Sequence, residues 1–185
     1  MLPETKNIAQ LSDTQIGAVL DALFEPCAAL KSYLIPKIRT RPFANYPKLI
    51  DFCRACLHTL IDEYETDSQA HSQVCNIVCA HPRLGVPKRD ISSLSVHSQN
   101  EQKSLNCGDP NGELGQKLAR MNELYEEKFP GLIFVVFVNG RTREEIIEIM
   151  KERIASSNWK DEVRHAFDGM CDIALDRVNK LEAKL

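Results

Sequence analysis

Residues 48–64, KLIDFCRACLHTLIDEY, carry the pattern that decides the fold class. Their apolar side chains recur every three or four residues, which places them on one face of an α-helix. The members of this face are Leu49, Phe52, Cys53, Cys56, Leu57 and Leu60. The stretch therefore predicts an amphipathic helix from Lys48 to Tyr64.

The same helical spacing recurs along most of the chain. Ser12 is the predicted N-cap of a helix toward Leu34, which Pro26 interrupts or restarts. A loop bracketed by prolines follows at 36–47. Further helices are predicted at 73–79, 98–105, 115–128, 143–153 and 160–181. This succession predicts an all-α fold.

The stretch 129–138, FPGLIFVVFV, departs from the helical pattern. Its β-branched and aromatic residues favour a strand. No other segment offers a clear partner strand, and a lone strand cannot satisfy its own backbone groups. The N–H and C=O groups of this stretch therefore need other partners, and a bound ligand is one possibility.

The composition limits the classes of protein that fit. At 185 residues, with 43% hydrophobic and 26% charged residues, the chain suits one globular domain. A formal net charge of −3 argues against nucleic-acid binding, and no apolar run approaches membrane-spanning length. Seven scattered cysteines fit reduced thiols better than a disulfide framework.

His81 stands at a junction in the stretch 79–85, CAHPRLG. Pro82 disfavours helical geometry for the residue before it, so a helix is expected to end at His81. The ring could cap the carbonyls of that helix. Alternatively, a neighbouring carboxylate would hold it in one tautomer and raise its pKa, which suits a proton donor. The sequence alone does not identify Glu101 as that carboxylate.

Two further polar clusters could carry chemistry. Ser98, Glu101 and Gln102 fall within one helical turn, where they could line a site, form a capping box, or do both. Arg153 precedes Asn158 and Glu162. Its guanidinium could grip a carboxylate or imide substrate, or simply form a surface ion pair with Glu148 or Glu152.

The cysteine spacing raises the question of zinc. Cys53-x2-Cys56, His58 and Cys75-x3-Cys79 offer zinc-ligating residue types. However, Cys53 and Cys56 lie on the apolar face of a helix, without the turn residues that usually flank a closed zinc site. The pattern therefore favours thiols in the core, and no metal site is predicted.

An ordered set of motifs resembles the decarboxylases of purine degradation that act on 2-oxo-4-hydroxy-4-carboxy-5-ureidoimidazoline (OHCU). The set covers nearly the whole chain. Pro130–Phe134 departs from the family's more familiar Phe-Gly-Phe-Pro-Phe run by one extra residue and looks most like fungal members. The matching motifs are Leu23–Pro26, Ala80–Gly85, Ser98–Gln102, Asn122-x2-Tyr125-x3-Phe129, Phe134–Val138, Gly140-Arg141 and Arg153-x4-Asn158-x3-Glu162-x3-Ala166.

The resemblance implies a single-domain helical bundle over residues 1–182, with the short extended apolar segment near its site. It also implies a homodimer that needs no metal or organic cofactor, binds neither nucleic acid nor membrane, and converts the small molecule OHCU to (S)-allantoin. The catalytic histidine of the family falls on His81 and its acidic partner on Glu101. Substrate-binding positions fall on Pro82, Ser98, Gln102 and Arg153, with backbone contacts from Phe134, Val135, Val136, Phe137 and Val138.

The implied chemistry explains why no cofactor is expected. The leaving carboxylate is beta to a ring C=N bond, so the substrate supplies its own electron sink. His81 would donate a proton to the ureido-bearing carbon, while Glu101 orients the ring or takes the proton of the substrate hydroxyl.

The last three residues, Ala183-Lys184-Leu185, are close to the Ser-Lys-Leu peroxisomal address. They predict recognition by a peroxisomal import receptor, with an ordinary helix end in a cytoplasmic protein as the alternative. Two other functions stay open: a catalytically inactive family member that binds a ligand or serves as a scaffold, and a zinc protein.

Overall fold

In the computed structural model, residues 2–63, 67–85 and 112–182 are described. Within these ranges every regular element is helical, so the predicted all-α class is confirmed. The predicted helix at 98–105 lies outside them. A 3-10 helix, Thr5–Gln10, precedes α1 (Asp13–Leu23), α2 (Ala28–Ile38), α3 (Tyr46–Glu63), α4 (Ser68–Val78), α5 (Glu113–Lys128), α6 (Arg143–Ser156) and α7 (Trp159–Glu182).

Reciprocal capping boxes fix the starts of two helices. The Ser12 hydroxyl accepts a hydrogen bond from the Gln15 backbone N–H (3.3 Å), and the Gln15 side chain accepts one from the Ser12 N–H (3.0 Å). Thr142 and Glu145 form the same arrangement before α6. Each box satisfies N–H groups that a helix start otherwise leaves unpaired. The predicted cap at Ser12 is confirmed.

Replacing Ser12 with alanine is expected to lower the free energy of unfolding by about 0.5–2 kcal/mol, because one helix N–H loses its acceptor. For a chain of this size, that corresponds to a thermal midpoint about 1–8 °C lower. Ser72→Ala is the matched control, since the Ser72 hydroxyl only donates back to the Ser68 carbonyl within α4. Equal midpoints for the two variants in circular dichroism melts would contradict the capping role.

α2 and α4 extend furthest beyond their predicted bounds. α2 continues through Pro36 to Ile38, and the Arg39 N–H still bonds to the Ile35 carbonyl (3.2 Å). Pro36 lies two residues before the end of α2, so its missing N–H and the crowding of its ring affect only the last turn of the helix. α4 begins at Ser68, because the Asp67 carboxylate caps the Gln69 N–H (2.8 Å).

The chain divides into two compact units, the first being Met1–Ala80 with Phe167–Leu185. In this unit, Cys53 and Cys171 are fully buried and Cys56 is 9% exposed, so the interpretation as core thiols is confirmed for Cys53 and Cys56. It is wrong for Cys79, which is exposed, and Cys75 is only partly buried. Burial raises the pKa of the Cys53 thiol well above its ordinary value and that of Cys171 to about 12. His58 bonds to Asp168 (2.9 Å). Among the described residues, no group of three His, Cys, Asp or Glu side chains is arranged to hold a metal.

No helix in the described ranges is both long enough and apolar enough to cross a membrane.

The second unit, His81–Ala166, contains α5, α6 and the first turns of α7. Between α5 and α6, residues 132–138 have no regular secondary structure, so the strand predicted there is wrong. The apolar pattern has another cause. Phe129, Leu132, Phe134 and Val135 are buried, and the first and third of them pack on the Tyr125 ring.

Candidate functional site

Arg153 lies at the centre of a buried polar cluster in the second unit. Its Nε and Nη2 donate to Glu162 Oε2 at 2.9 and 2.6 Å. The Arg153 side chain is 12% exposed, and that of Glu162 is fully buried. The predicted alternative of a surface pair with Glu148 or Glu152 is therefore wrong. Glu148 pairs with Lys151, whereas Arg153 points into the unit.

Glu162 has a second donor, the Tyr125 hydroxyl, at 2.6 Å from Oε2. Burial acts to raise the pKa of Glu162, but hydrogen bonds and charge from Arg153 outweigh it, so the pKa is lowered. Burial and the charge of Glu162 raise the pKa of Tyr125 against the opposing charge of Arg153. Near neutral pH the cluster thus holds an ionised carboxylate, a guanidinium and a neutral phenol.

The guanidinium also contacts the apolar segment between α5 and α6. Nη1 of Arg153 donates to the Val135 carbonyl (3.0 Å), and the guanidinium carbon lies 4.4 Å from the centroid of the Phe134 ring. This distance suits a cation–π contact. The predicted binding residue Arg153 and the predicted backbone segment are therefore direct neighbours.

Residues 130–138, here named the anchored segment, are held mainly through their carbonyls. The Trp159 indole N–H donates to the Pro130 carbonyl (3.1 Å). Arg141 Nη1 donates to the Phe137 carbonyl (2.8 Å), and the Arg141 backbone N–H to the Val138 carbonyl (2.9 Å). Donors from Arg141, just before α6, and Trp159, at the start of α7, thus bind carbonyls of the anchored segment rather than its N–H groups.

The N–H groups of the anchored segment show the opposite pattern. Among the described residues, none accepts a hydrogen bond from the backbone N–H groups of 133–138. Phe134 and Val135 are buried, and residues 136–138 are partly buried. Backbone donors in such surroundings normally find an acceptor. A ligand with carboxylate or carbonyl oxygens would supply acceptors here.

His81 lies in the turn after α4, with 7% of the residue exposed. The expected helix end at His81 is wrong, because α4 ends at Val78 with Cys79 as its C-cap. Pro82, the next residue, is partly exposed.

The segment that follows His81 is fixed to α5. Arg83 forms a two-bond ion pair with Glu126 (2.6 and 2.9 Å), and the Asn122 side chain donates to the Leu84 carbonyl (3.0 Å). Gly85 has a φ of +78°, and an added Cβ would lie 2.6 Å from Leu118. The positive φ therefore favours glycine at that point, and a larger residue would also have to displace the end of the Leu118 side chain.

The comparisons with known proteins agree with the resemblance found in the sequence. A family model described as OHCU decarboxylase matches residues 9–179. The chain belongs to the OHCU decarboxylase family. This is a family of decarboxylating lyases, and the match covers both compact units.

Two curated relatives are longer than this OHCU decarboxylase family member. The uric acid degradation bifunctional protein of Bacillus sp. (strain TB-90) is 24% identical over 176 residues, which make up 95% of this chain and 32% of the relative. The uric acid degradation bifunctional protein TTL of Arabidopsis thaliana is 35% identical over 75 residues, or 40% of this chain and 23% of the relative. The chain thus spans about a third or less of each relative. The predicted likeness to fungal members stays a prediction, since these relatives are bacterial and plant.

A solved structure of similar fold is a crystal structure of (S)-allantoin synthase. It is 17% identical, with a TM-score of 0.56, and the match covers 96% of this chain and 54% of that one. At this identity the likeness shows the fold, and the fold agrees with the family assignment.

The structure brings together some of the site residues that were predicted from the sequence. Arg153, Phe134 and Val135 are in contact, and Val136, Phe137 and Val138 belong to the same anchored segment. Ser98, Glu101 and Gln102 lie outside the described residues, so the pairing of His81 with Glu101 stays a prediction. Tyr125 and Glu162 occur in the family pattern, but neither was assigned a role from the sequence.

Proposed function

We propose that this protein converts OHCU to (S)-allantoin by a decarboxylation that needs no metal or organic cofactor, as a step of urate degradation. The family assignment supports the reaction class. The names of the relatives and of the structural neighbour support the pathway and the product. The observation that carries the proposal is the guanidinium of Arg153 beside a run of backbone N–H groups that have no acceptor among the described residues.

The donors of this site suit the acceptors of the substrate. A guanidinium has five N–H groups, and the bonds of Arg153 to Glu162 and Val135 occupy three of them. Among the residues that the structure describes, one N–H on each terminal nitrogen has no acceptor and can bind a ligand. Because the charge of Arg153 is balanced by Glu162, the site offers directed hydrogen bonds rather than an excess of positive charge. Such bonds suit a carboxylate, a ureido carbonyl and ring oxygens.

The proposed reaction requires orientation of the substrate and a controlled proton transfer to carbon. When carbon dioxide leaves, the electron pair of the broken C–C bond forms a double bond to the ureido-bearing carbon, and the ring nitrogen of the C=N group takes the displaced pair and a proton from solvent. His81 then donates a proton to one face of the ureido-bearing carbon, and the substrate hydroxyl loses its proton to become a carbonyl. Glu101 orients His81 or accepts that hydroxyl proton. Pro82, Ser98, Gln102, Arg153 and the segment from Phe134 to Val138 hold the substrate, since orientation forms a large part of the barrier.

The full-length protein is expected to accelerate the loss of freshly generated OHCU and to yield allantoin of one hand, measured by circular dichroism. The uncatalysed reaction gives racemic allantoin, so optical activity separates catalysis from spontaneous decay. Heat-denatured protein is the control, and chelator treatment should leave the rate unchanged. A folded protein that binds allantoin but yields racemate at the uncatalysed rate would favour the inactive ligand-binding or scaffold alternative.

The homodimer, and peroxisomal delivery through Ala183-Lys184-Leu185, stay predictions that rest on the resemblance and on the final tripeptide. That tripeptide lies outside the described residues.

A further inference from the structure

We propose that Glu162 and Tyr125 are positioning residues, which hold Arg153 and thereby the anchored segment in the geometry that receives the substrate. This inference rests on the proposed function, because it names which buried groups shape the donor site. Neither side chain needs to touch the substrate for this role.

Stability alone does not account for the buried pair. Glu162 is fully buried, and Arg153 is 12% exposed. Removing two such charges from water costs several kcal/mol per ion, and well-packed apolar side chains of similar volume are often as stabilising or more so. What a carboxylate adds here is direction, since a planar guanidinium bound on one edge presents its remaining N–H groups in fixed directions.

The bonding pattern shows which groups the Glu162 carboxylate positions. One edge of the guanidinium, Nε with Nη2, binds Glu162, while Nη1 binds the Val135 carbonyl. The Phe134 ring lies against one face. A shift of the Glu162 carboxylate would therefore move Arg153 and, with it, the backbone at Val135. Glu162 thus controls the position of N–H groups that it does not itself contact.

Tyr125 links this control to the part of the unit that contains His81. It donates to Glu162 from α5, and α5 also holds the segment after His81 through Asn122 and Glu126. One rigid helix therefore fixes both the carboxylate behind Arg153 and the turn of the proposed proton donor. The Tyr125 hydroxyl thus holds the Glu162 carboxylate in a fixed position relative to the turn that contains His81.

The test is a double-mutant cycle of Tyr125→Phe and Glu162→Gln, assayed with OHCU below the melting temperature of each variant. Tyr125→Phe is expected to lower kcat/KM about tenfold, as expected for loss of a hydrogen bond to a charged group. Glu162→Gln is expected to lower it about 100-fold, the scale for a misplacement of about 1 Å. If Tyr125 acts through Glu162, the double variant is no slower than Glu162→Gln.

Two controls separate positioning from a general loss of folding. Tyr33→Phe also removes a tyrosine hydroxyl, one that donates to the Cys56 carbonyl (2.9 Å) in the first unit. This variant should lower the melting temperature but not kcat/KM. Glu162→Asp keeps the charge but withdraws the carboxylate, and should stay impaired. The enantiomeric purity of the allantoin is the decisive readout. Once the racemate formed by the uncatalysed reaction is subtracted, fewer folded molecules would not change this purity, whereas a misplaced substrate would lower it.

A second readout does not depend on activity. The Arg153 Nε–H should exchange slowly with solvent in nitrogen-15 NMR, and should lose this protection in Glu162→Gln. If the wild-type protein failed to decarboxylate OHCU, this measurement would still test the positioning role. Full enantiomeric purity with unchanged kcat/KM in both single variants, additive effects in the double variant, or an unprotected Nε–H in the wild type would each overturn the inference.

Discussion

Replacing His81 with asparagine is expected to lower kcat for OHCU about 10²–10⁴-fold, the usual contribution of a positioned general acid. Asparagine keeps a polar side chain of similar reach but cannot donate a proton to carbon. The residual reaction should give allantoin of reduced optical purity. Carbon dioxide would still be lost, but no residue would direct the proton to one face of the carbon. Stopped-flow absorbance of OHCU and circular dichroism of the product measure the two effects.

The control for this variant is His71→Asn, the same chemical change at an exposed position on α4. It should leave both the rate and the handedness unchanged. Because His81 is only 7% exposed, a melting curve of each variant is needed to confirm that the protein is folded during the assay. A folded His81→Asn protein that makes optically pure allantoin at the wild-type rate would disprove His81 as the proton donor.

Much of the fold was predictable because helix limits depend on neighbouring residues. A cap before an apolar face marked α1 at Ser12, and α6 begins at the predicted Arg143 because Thr142 caps it. The continuation of α2 through Pro36 was not predictable in this way. It depends on the burial of Leu34 and Ile38, which is set by other helices.

The failed strand has a similar cause. Aromatic and β-branched residues are typical of strands, yet the same residues fill a core wherever burial demands apolar side chains. In the anchored segment, Arg153 and Arg141 take carbonyls that a neighbouring strand would otherwise have used. That this backbone needs unusual partners was predictable from the sequence, but that most of them are side chains was not.

The site was predictable in its residue types but not in its pairings. Arg153 stood out as a guanidinium near carboxylates, and the closer Glu148 and Glu152 were the obvious candidates. Glu162 becomes the partner because the chain turns at Ser157 and Asn158, which brings the start of α7 against the end of α6. Side-chain pairing across such a turn is a tertiary effect that spacing along one helix does not reveal.

A second buried ion pair lies in the first unit and explains the motif Leu23–Pro26. Arg177 is 1% exposed and Glu25 is 5% exposed. Nη2 of Arg177 donates to Glu25 Oε1 (2.7 Å), and Nη1 donates to the carbonyls of Leu23 and Phe24 (3.2 and 3.1 Å). These carbonyls belong to the last turn and C-cap of α1. Arg177 therefore caps α1 from α7, where a positive charge also opposes the negative end of the helix dipole.

Arg177→Met is expected to lower the free energy of unfolding by about 3–5 kcal/mol, because it leaves the buried Glu25 carboxylate without this guanidinium. The melting temperature should fall by about 6–20 °C. Arg39→Met is the matched control, since Arg39 pairs with the exposed Asp13 and such surface pairs contribute about 0–1 kcal/mol. Combining Arg177→Met with Glu25→Leu removes both charges and should recover part of the loss. A double variant no more stable than Arg177→Met would mean that the carbonyl contacts of Arg177, rather than its charge pair, stabilise this part of the protein.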